Sequence, residues 1–320
     1  MDKLMAKQAV LLLAHGTPQT IGEIPAYLRN VTSGRPLPPS VVEEIQHRYS
    51  LIGRSPLTEI TLEQARLVEA ELAAAGQPVR VYVGMRNWRP YIPDVVKTMR
   101  ADGVEESAVI CMAPQNSRTS VGLYRRSAEA EAGSIRIDFT AGWARHPQLI
   151  EAFAERLLPA WTKLQQETGA PVPVLFTAHS VPTRTVEPTA DGQPSDPYAE
   201  EARATAELVA ATLPPEAEHR FAFQSQGQSG GPWIGPTVEE TLTALAAAGH
   251  KAEPAIAIQN QAIHRRVQIA NRRRLGPGCR RTAKEPIRRG QPKRAAGFHR
   301  HVRNPARSYF RVLDPVGADR

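Results

Sequence analysis

Short apolar, β-branched runs alternate with longer amphipathic stretches through the first 250 residues of the chain. The runs predict six strands, at 9–14, 79–83, 108–112, 135–140, 172–178 and 220–224. Between them, apolar residues recur at spacings of three and four. In 59–75, Ile60, Leu62, Leu67, Val68 and Leu72 lie along such a stripe, and Gly76 follows where a helix C-cap belongs. The same reasoning predicts helices at 41–51, 91–100, 124–131, 148–164, 197–213 and 238–248. Strands alternating with helices imply βαβ units and a mainly parallel sheet, hence an α/β fold. A division within 143–170 would make two α/β halves, whose strand ends could face a shared cleft. The stretch 182–196, with Pro182, Pro188, Gly192 and Pro194, reads as a long loop, a length that is usually functional or mobile.

The pattern stops after residue 250. One more short strand is predicted at 255–258, and no element from 265 onward. Charge changes at the same place. Residues 251–320 hold 15 Arg and 3 Lys against 4 acidic residues, a net +14, whereas the first 250 residues carry a net −6. The overall +8 is therefore no sign of a nucleic-acid surface over the folded part, and the basic stretch reads as a solvated tail rather than a nucleic-acid arm. With 41% hydrophobic residues, 320 residues can bury one large core or two modest ones, which excludes a disordered or collagen-like chain. Cys111 and Cys279 are too few for a disulfide framework or an iron–sulfur cluster. The apolar run 10–14 falls far short of the ~18 residues that span a bilayer, and the N-terminus lacks a signal-peptide layout. The expectation is a cytoplasmic protein without a transmembrane segment.

Polar and ring side chains directly after predicted strands are the candidates for chemistry, because open α/β sheets bind ligands at their strand ends. His15 and Gly16 follow the first run, and His179 and Ser180 follow the fifth. Either histidine alone would most simply be a hydrogen-bonded strand-end residue; two in equivalent places point to a cleft. Ser180 does not suggest a hydrolase, since no G-x-S-x-G elbow surrounds it and neighbours on a strand face opposite ways. Gln224-Ser225-Gln226-Gly227-Gln228 leads to Gly230-Gly231-Pro232-Trp233-Ile234-Gly235-Pro236, a loop suited to a flat ligand but without the dinucleotide fingerprint. Met112 to Ser117, with Tyr124 beyond, adds a further loop and helix. Arg29, Arg35, Arg48, Tyr49, Arg54 and Ser55 gather donors for carboxylates, although surface arginines are common.

In order, these segments resemble the ferrochelatase family, which inserts ferrous iron into porphyrins. His15-Gly16-Thr17-Pro18 is similar to its opening G-T-P strand end, and Arg48-Tyr49 with Gly53 and Ser55-Pro56-Leu57 to its R-Y…G-G-x-S-P-L stretch. Ala113-Pro114 to Tyr124 resembles its A-P…Y segment. Ala178-His179-Ser180-Val181-Pro182 resembles its S-A-H-S-[LVI]-P signature, and Gln224-Ser225 to Pro236 its Q-S…P-W-[LI]-x-P run. The resemblance covers about residues 8–252 and implies two Rossmann-like, chelatase-type halves with parallel sheets around a porphyrin cleft: 1–145, then 146–252, followed by a basic tail at 253–320. It implies that His179 handles metal and protons, that His15 lies near the metal, and that Arg48, Tyr49, Ser55, Tyr124 and Trp233 hold the macrocycle. No cofactor is expected, since ferrous iron and the porphyrin (protoporphyrin IX or coproporphyrin III) are substrates.

The family's P-[IV]-G-F-x-x-D-H-x-E-x-L-Y-D segment, whose Glu faces the histidine, has no counterpart here; neither Glu253 nor Glu285 has the right neighbours. A porphyrin- or metal-binding remnant without turnover is the alternative this raises, and a nucleic-acid binder acting through the basic tail is another. The loss coincides with the charge change, which suggests an altered reading frame. Coding DNA that yields no D-H-x-E segment in either other frame past codon 250 would refute that explanation.

Overall fold

The computed structural model describes residues 7–227 and 231–250, together with the backbone of strands at Ala255–Gln259, Val267–Ala270 and Phe310–Val312. The 228–230 part of the glycine-rich loop and the basic clusters of the tail lie outside the described residues.

The first half is a parallel sheet of β1 (Gln8–Ala14), β2 (Arg80–Met85), β3 (Glu106–Cys111) and β4 (Arg136–Thr140), in the order β2-β1-β3-β4. Central β1 is covered on both faces, which is why it reads as an unbroken apolar run. Its side chains alternate between two cores. Leu11 and Leu13 meet α4 (Ile92–Ala101) and α5 (Val121–Glu129), while Val10, Leu12 and Ala14 meet Ala65 of α3 (Leu57–Ala74). Edge strand β4 alternates exposed with half-buried positions. Before α3, α1 (Ile24–Val31) and α2 (Pro39–Ile52) pack with Trp88 as a small separate cluster.

The second half begins with α6 (Pro147–Thr168), whose Leu157, Trp161 and Leu164 pack on β5 (Val174–His179) and α7 (Tyr198–Ala210). Beyond these come β6 (His219–Gln224) and α8 (Val238–Ala247). The Thr237-x-x-Glu240 spacing caps α8 reciprocally: Thr237 accepts from the Glu240 N–H at 3.1 Å, and Glu240 accepts from the Thr237 N–H at 2.8 Å. The sheet order is β6-β5-β7-β8-β9, where β7 is Ala255–Gln259, β8 Val267–Ala270 and β9 Phe310–Val312. Pairs β5–β6 and β5–β7 are parallel, whereas β8 and β9 join antiparallel.

All six expected strands and seven expected helices are present, with shifted ends. Three elements depart from expectation. Helix α1 was not foreseen, because eight residues with only Ile24, Tyr27 and Leu28 turned inward are too short to display a period. Strands β8 and β9 fall in the stretch expected to hold no element, whereas β7 matches the short strand expected at 255–258. No described helix is long and apolar enough to cross a membrane.

Candidate active site

In each sheet the first strand has its successor on one side and a later strand on the other, so connections leave the strand ends in opposite directions and open a crevice. The two crevices share a cleft of about 480 Å³, lined by His15 after β1, Arg86 and Asn87 after β2, Met112 and Ala113 after β3, and His179 at the end of β5. That volume lies within the roughly 300–1,000 Å³ of small-molecule sites.

Gly16 lets the end of β1 nest against the turn after β2. Its φ is +79°, and a Cβ there would lie 2.9 Å from both Met85 Cβ and the Trp88 backbone nitrogen. The Asn87 N–H donates to the His15 carbonyl at 2.8 Å, and the Arg86 N–H to that of Ala14 at 2.9 Å. These bonds place His15 at the sheet rim.

The His15 ring is open to the cleft, yet protein surrounds it. The Tyr27 hydroxyl lies 3.0 Å from Nε2, the Tyr124 hydroxyl 3.3 Å from Nδ1, and the Asn87 side-chain nitrogen 3.2 and 3.3 Å from the two ring nitrogens. A neutral imidazole has one N–H and one lone pair. Both are engaged, so a metal at His15 would have to displace a neighbour. Burial chiefly, then the charges of His179 and Arg86, push the His15 pKa down to about 4. Burial raises the pKa of Tyr27 and Tyr124, so both hydroxyls keep their protons.

His179 is the contrasting case. No described residue hydrogen-bonds its half-buried ring, while its backbone carbonyl accepts from the Tyr198 hydroxyl at 2.8 Å. Burial lowers its pKa, keeping the ring neutral and its lone pair available near pH 7. Ser180, the next residue, is buried on the other side. Its N–H donates to Gln224 O at 2.7 Å and its hydroxyl to Ile234 O at 2.8 Å. It holds the glycine-rich loop and does not face the cleft.

The other expected site residues divide. Tyr124 lines the cleft. Arg48 is exposed and pairs with Glu44 one turn earlier on its own helix at 3.0 Å, Tyr49 packs in the cluster around Tyr27 and Trp88, and Ser55 accepts from the Leu57 N–H at 3.4 Å at the start of α3. Arg54 is tied to Glu59 at 3.2 Å, and the exposed Arg35 donates to the Thr32 carbonyl at 3.3 Å. Trp233 bridges to Pro182 and covers Gly227. Arg48, Tyr49, Ser55 and Trp233 do not line the cleft, whereas Arg86, which the sequence reading does not name, does. Its Nε is buried without a partner, and no described carboxylate pairs with it. The signal was present, since Arg86 directly follows a strand as His15 does. Among the described residues no three His, Cys, Asp or Glu side chains gather to hold a metal ion.

A ferrochelatase family profile matches residues 7–258. The ferrochelatase of Acidobacterium capsulatum is 58% identical over 248 residues, 75% of each chain. The coproporphyrin III ferrochelatase of Geobacillus sp. (strain WCH70) is 30% identical over 75% of this chain and 77% of its own. Among solved structures, SirB from Bacillus subtilis with Fe3+ overlaps at a TM-score of 0.43 with 12% identity, covering 79% of this chain and 75% of that one. Sequence matches of that extent and identity establish that this chain belongs to the ferrochelatase family, enzymes of haem biosynthesis that insert ferrous iron into a porphyrin.

Proposed function

We propose that His179 is the residue through which this chain inserts iron. Replacing two pyrrole protons with Fe2+ yields the iron porphyrin and two protons, so the site needs a neutral base beside the macrocycle. The observation that carries the reading is the imidazole at the end of β5, without a hydrogen-bond partner among the described residues and facing the cleft. It takes a pyrrole proton on its free nitrogen and passes it to cleft water, or presents the metal with the same lone pair. His15, held by Tyr27, Tyr124 and Asn87, forms the opposite wall. Arg86 offers a guanidinium to a carboxylate on the porphyrin edge. Coproporphyrin III, named for the Geobacillus relative, bears such carboxylates, as does protoporphyrin IX, and the reaction proposed uses no resident cofactor.

Zinc insertion into a free-base porphyrin, followed by absorbance, tests the role of His179. General-base roles are typically worth about 10²–10⁴-fold, so His179→Ala should metallate at least about 100-fold more slowly. Metallation at the wild-type rate would overturn the assignment. A wild-type chain that shifts the porphyrin spectrum but forms no metalloporphyrin would favour the non-catalytic remnant, in keeping with the missing D-H-x-E segment.

A further inference from the structure

The two halves meet through polar contacts that run from one cleft wall to the other. The β3–α5 loop supplies Ser117, Thr119 and Ser120 to the cleft and leads into Tyr124. Two of its backbone N–H groups find acceptors in the other half: Asn116 N–H donates to Glu201 Oε2 and Arg118 N–H to Asp196 Oδ2, each at 2.6 Å. The Arg118 guanidinium reaches the same half, donating to the carbonyls of Thr185 at 3.0 Å and Glu187 at 2.7 Å. The Asp196 side chain is 1% exposed and uses both oxygens, because Oδ1 accepts from the Tyr198 N–H at 2.9 Å. The Tyr198 hydroxyl in turn donates to the His179 carbonyl. Asp196 thus joins the loop bearing one wall to the strand end bearing the other.

We propose that Asp196 and Glu201 are positioning residues that fix the spacing of the two cleft walls, and so pre-form the slot for a flat, rigid tetrapyrrole. The proposal rests on the cleft being the porphyrin site. A slot held open before binding spares the ligand the cost of ordering its walls, so loosening the latch weakens binding. The two carboxylates differ in a way that makes the proposal specific. Glu201 accepts the Asn116 N–H, a bond that a glutamine oxygen can also accept. Asp196 accepts on both oxygens, and in an asparagine one of them becomes a donor facing an N–H.

The test is protoporphyrin IX titration by absorbance on the full chain, with amide hydrogen exchange across 112–120 and in β1, and a thermal melt for each variant. Asp196→Asn should raise the porphyrin Kd about tenfold or more and speed exchange at the Arg118 amide, with β1 protection unchanged. Glu201→Gln should stay within about twofold of wild type, while Glu201→Ala should resemble Asp196→Asn. The Glu201 pair keeps the test decisive if Asp196→Asn does not fold, since Glu201 is only half buried. Wild-type affinity in Asp196→Asn or Glu201→Ala would overturn the latch alone. Absence of porphyrin binding by the wild-type chain would overturn both the latch and the functional reading beneath it.

Discussion

Replacing Gly16 by alanine tests the packing that places His15. The residue has φ +79°, where a side chain costs roughly 1–2 kcal/mol. The added Cβ would also meet Met85 Cβ and the Trp88 nitrogen at 2.9 Å, with Trp88 Cα at 3.3 Å. Met85 is fully buried and Trp88 nearly so, leaving neither room to retreat; such overpacking costs about 1–3 kcal/mol. Together these give about 2–5 kcal/mol, a large part of the ~5–15 kcal/mol that holds a typical domain. Urea unfolding read by tryptophan fluorescence measures the loss; at a slope of about 2 kcal/mol per molar the transition of the first half should move down by about 1–2.5 M. Gly22→Ala is the control, because nothing lies within 4 Å of a Cβ there; it should fall within about 0.5 kcal/mol of wild type. Coincident midpoints for the two variants would refute the packing argument, and with it the account of how His15 is placed.

Two further outcomes follow from the same wall. Because His15 has its pKa depressed to about 4 in the folded state, its contribution is complete above the unfolded value near 6.5 and is lost as pH falls from there toward 4; the open cleft face reduces its size. The melting temperature should therefore fall less between pH 7 and pH 4.5 in His15→Gln than in wild type, and parallel curves would refute the depressed pKa. Arg86→Gln should raise KM for the porphyrin about tenfold or more with little change in kcat, the mark of a group that holds substrate equally before and during reaction; a fall in kcat at constant KM would place Arg86 in the chemistry instead.

How much could be read from the sequence depended on whether a signal was local. The parallel strands of both sheets were legible because central parallel strands are apolar throughout, as with Leu11, Leu12 and Leu13, and helices on their faces show a clear stripe. Position at a strand end is a local signal, and His15, Arg86 and His179, each at or directly after a strand, line the cleft. It could not tell that one histidine ring is fully engaged and the other unpartnered, because the Tyr124 bond to His15 spans 109 residues. Arg48 shows what a motif leaves out: a glutamate four residues earlier on the same helix face pairs with its guanidinium. The latch was wholly illegible, since its carboxylates meet amides 78 and 85 residues away and neither backbone N–H leaves a mark in sequence.

Binding and proton removal separate along this chain. Every residue lining the cleft lies between Ala14 and Tyr198, well before the charge and pattern change after residue 250. The walls, the latch and the unpartnered imidazole are therefore built by sequence that matches the family. What the departure removes is the carboxylate that the resemblance would place opposite His179. If His179 acts as proposed and no other described residue takes its place, the imidazole releases the first pyrrole proton to water before accepting the second. On the reading proposed for His179, recognition of the tetrapyrrole rests on residues between Ala14 and Tyr198, and proton removal rests on the one imidazole.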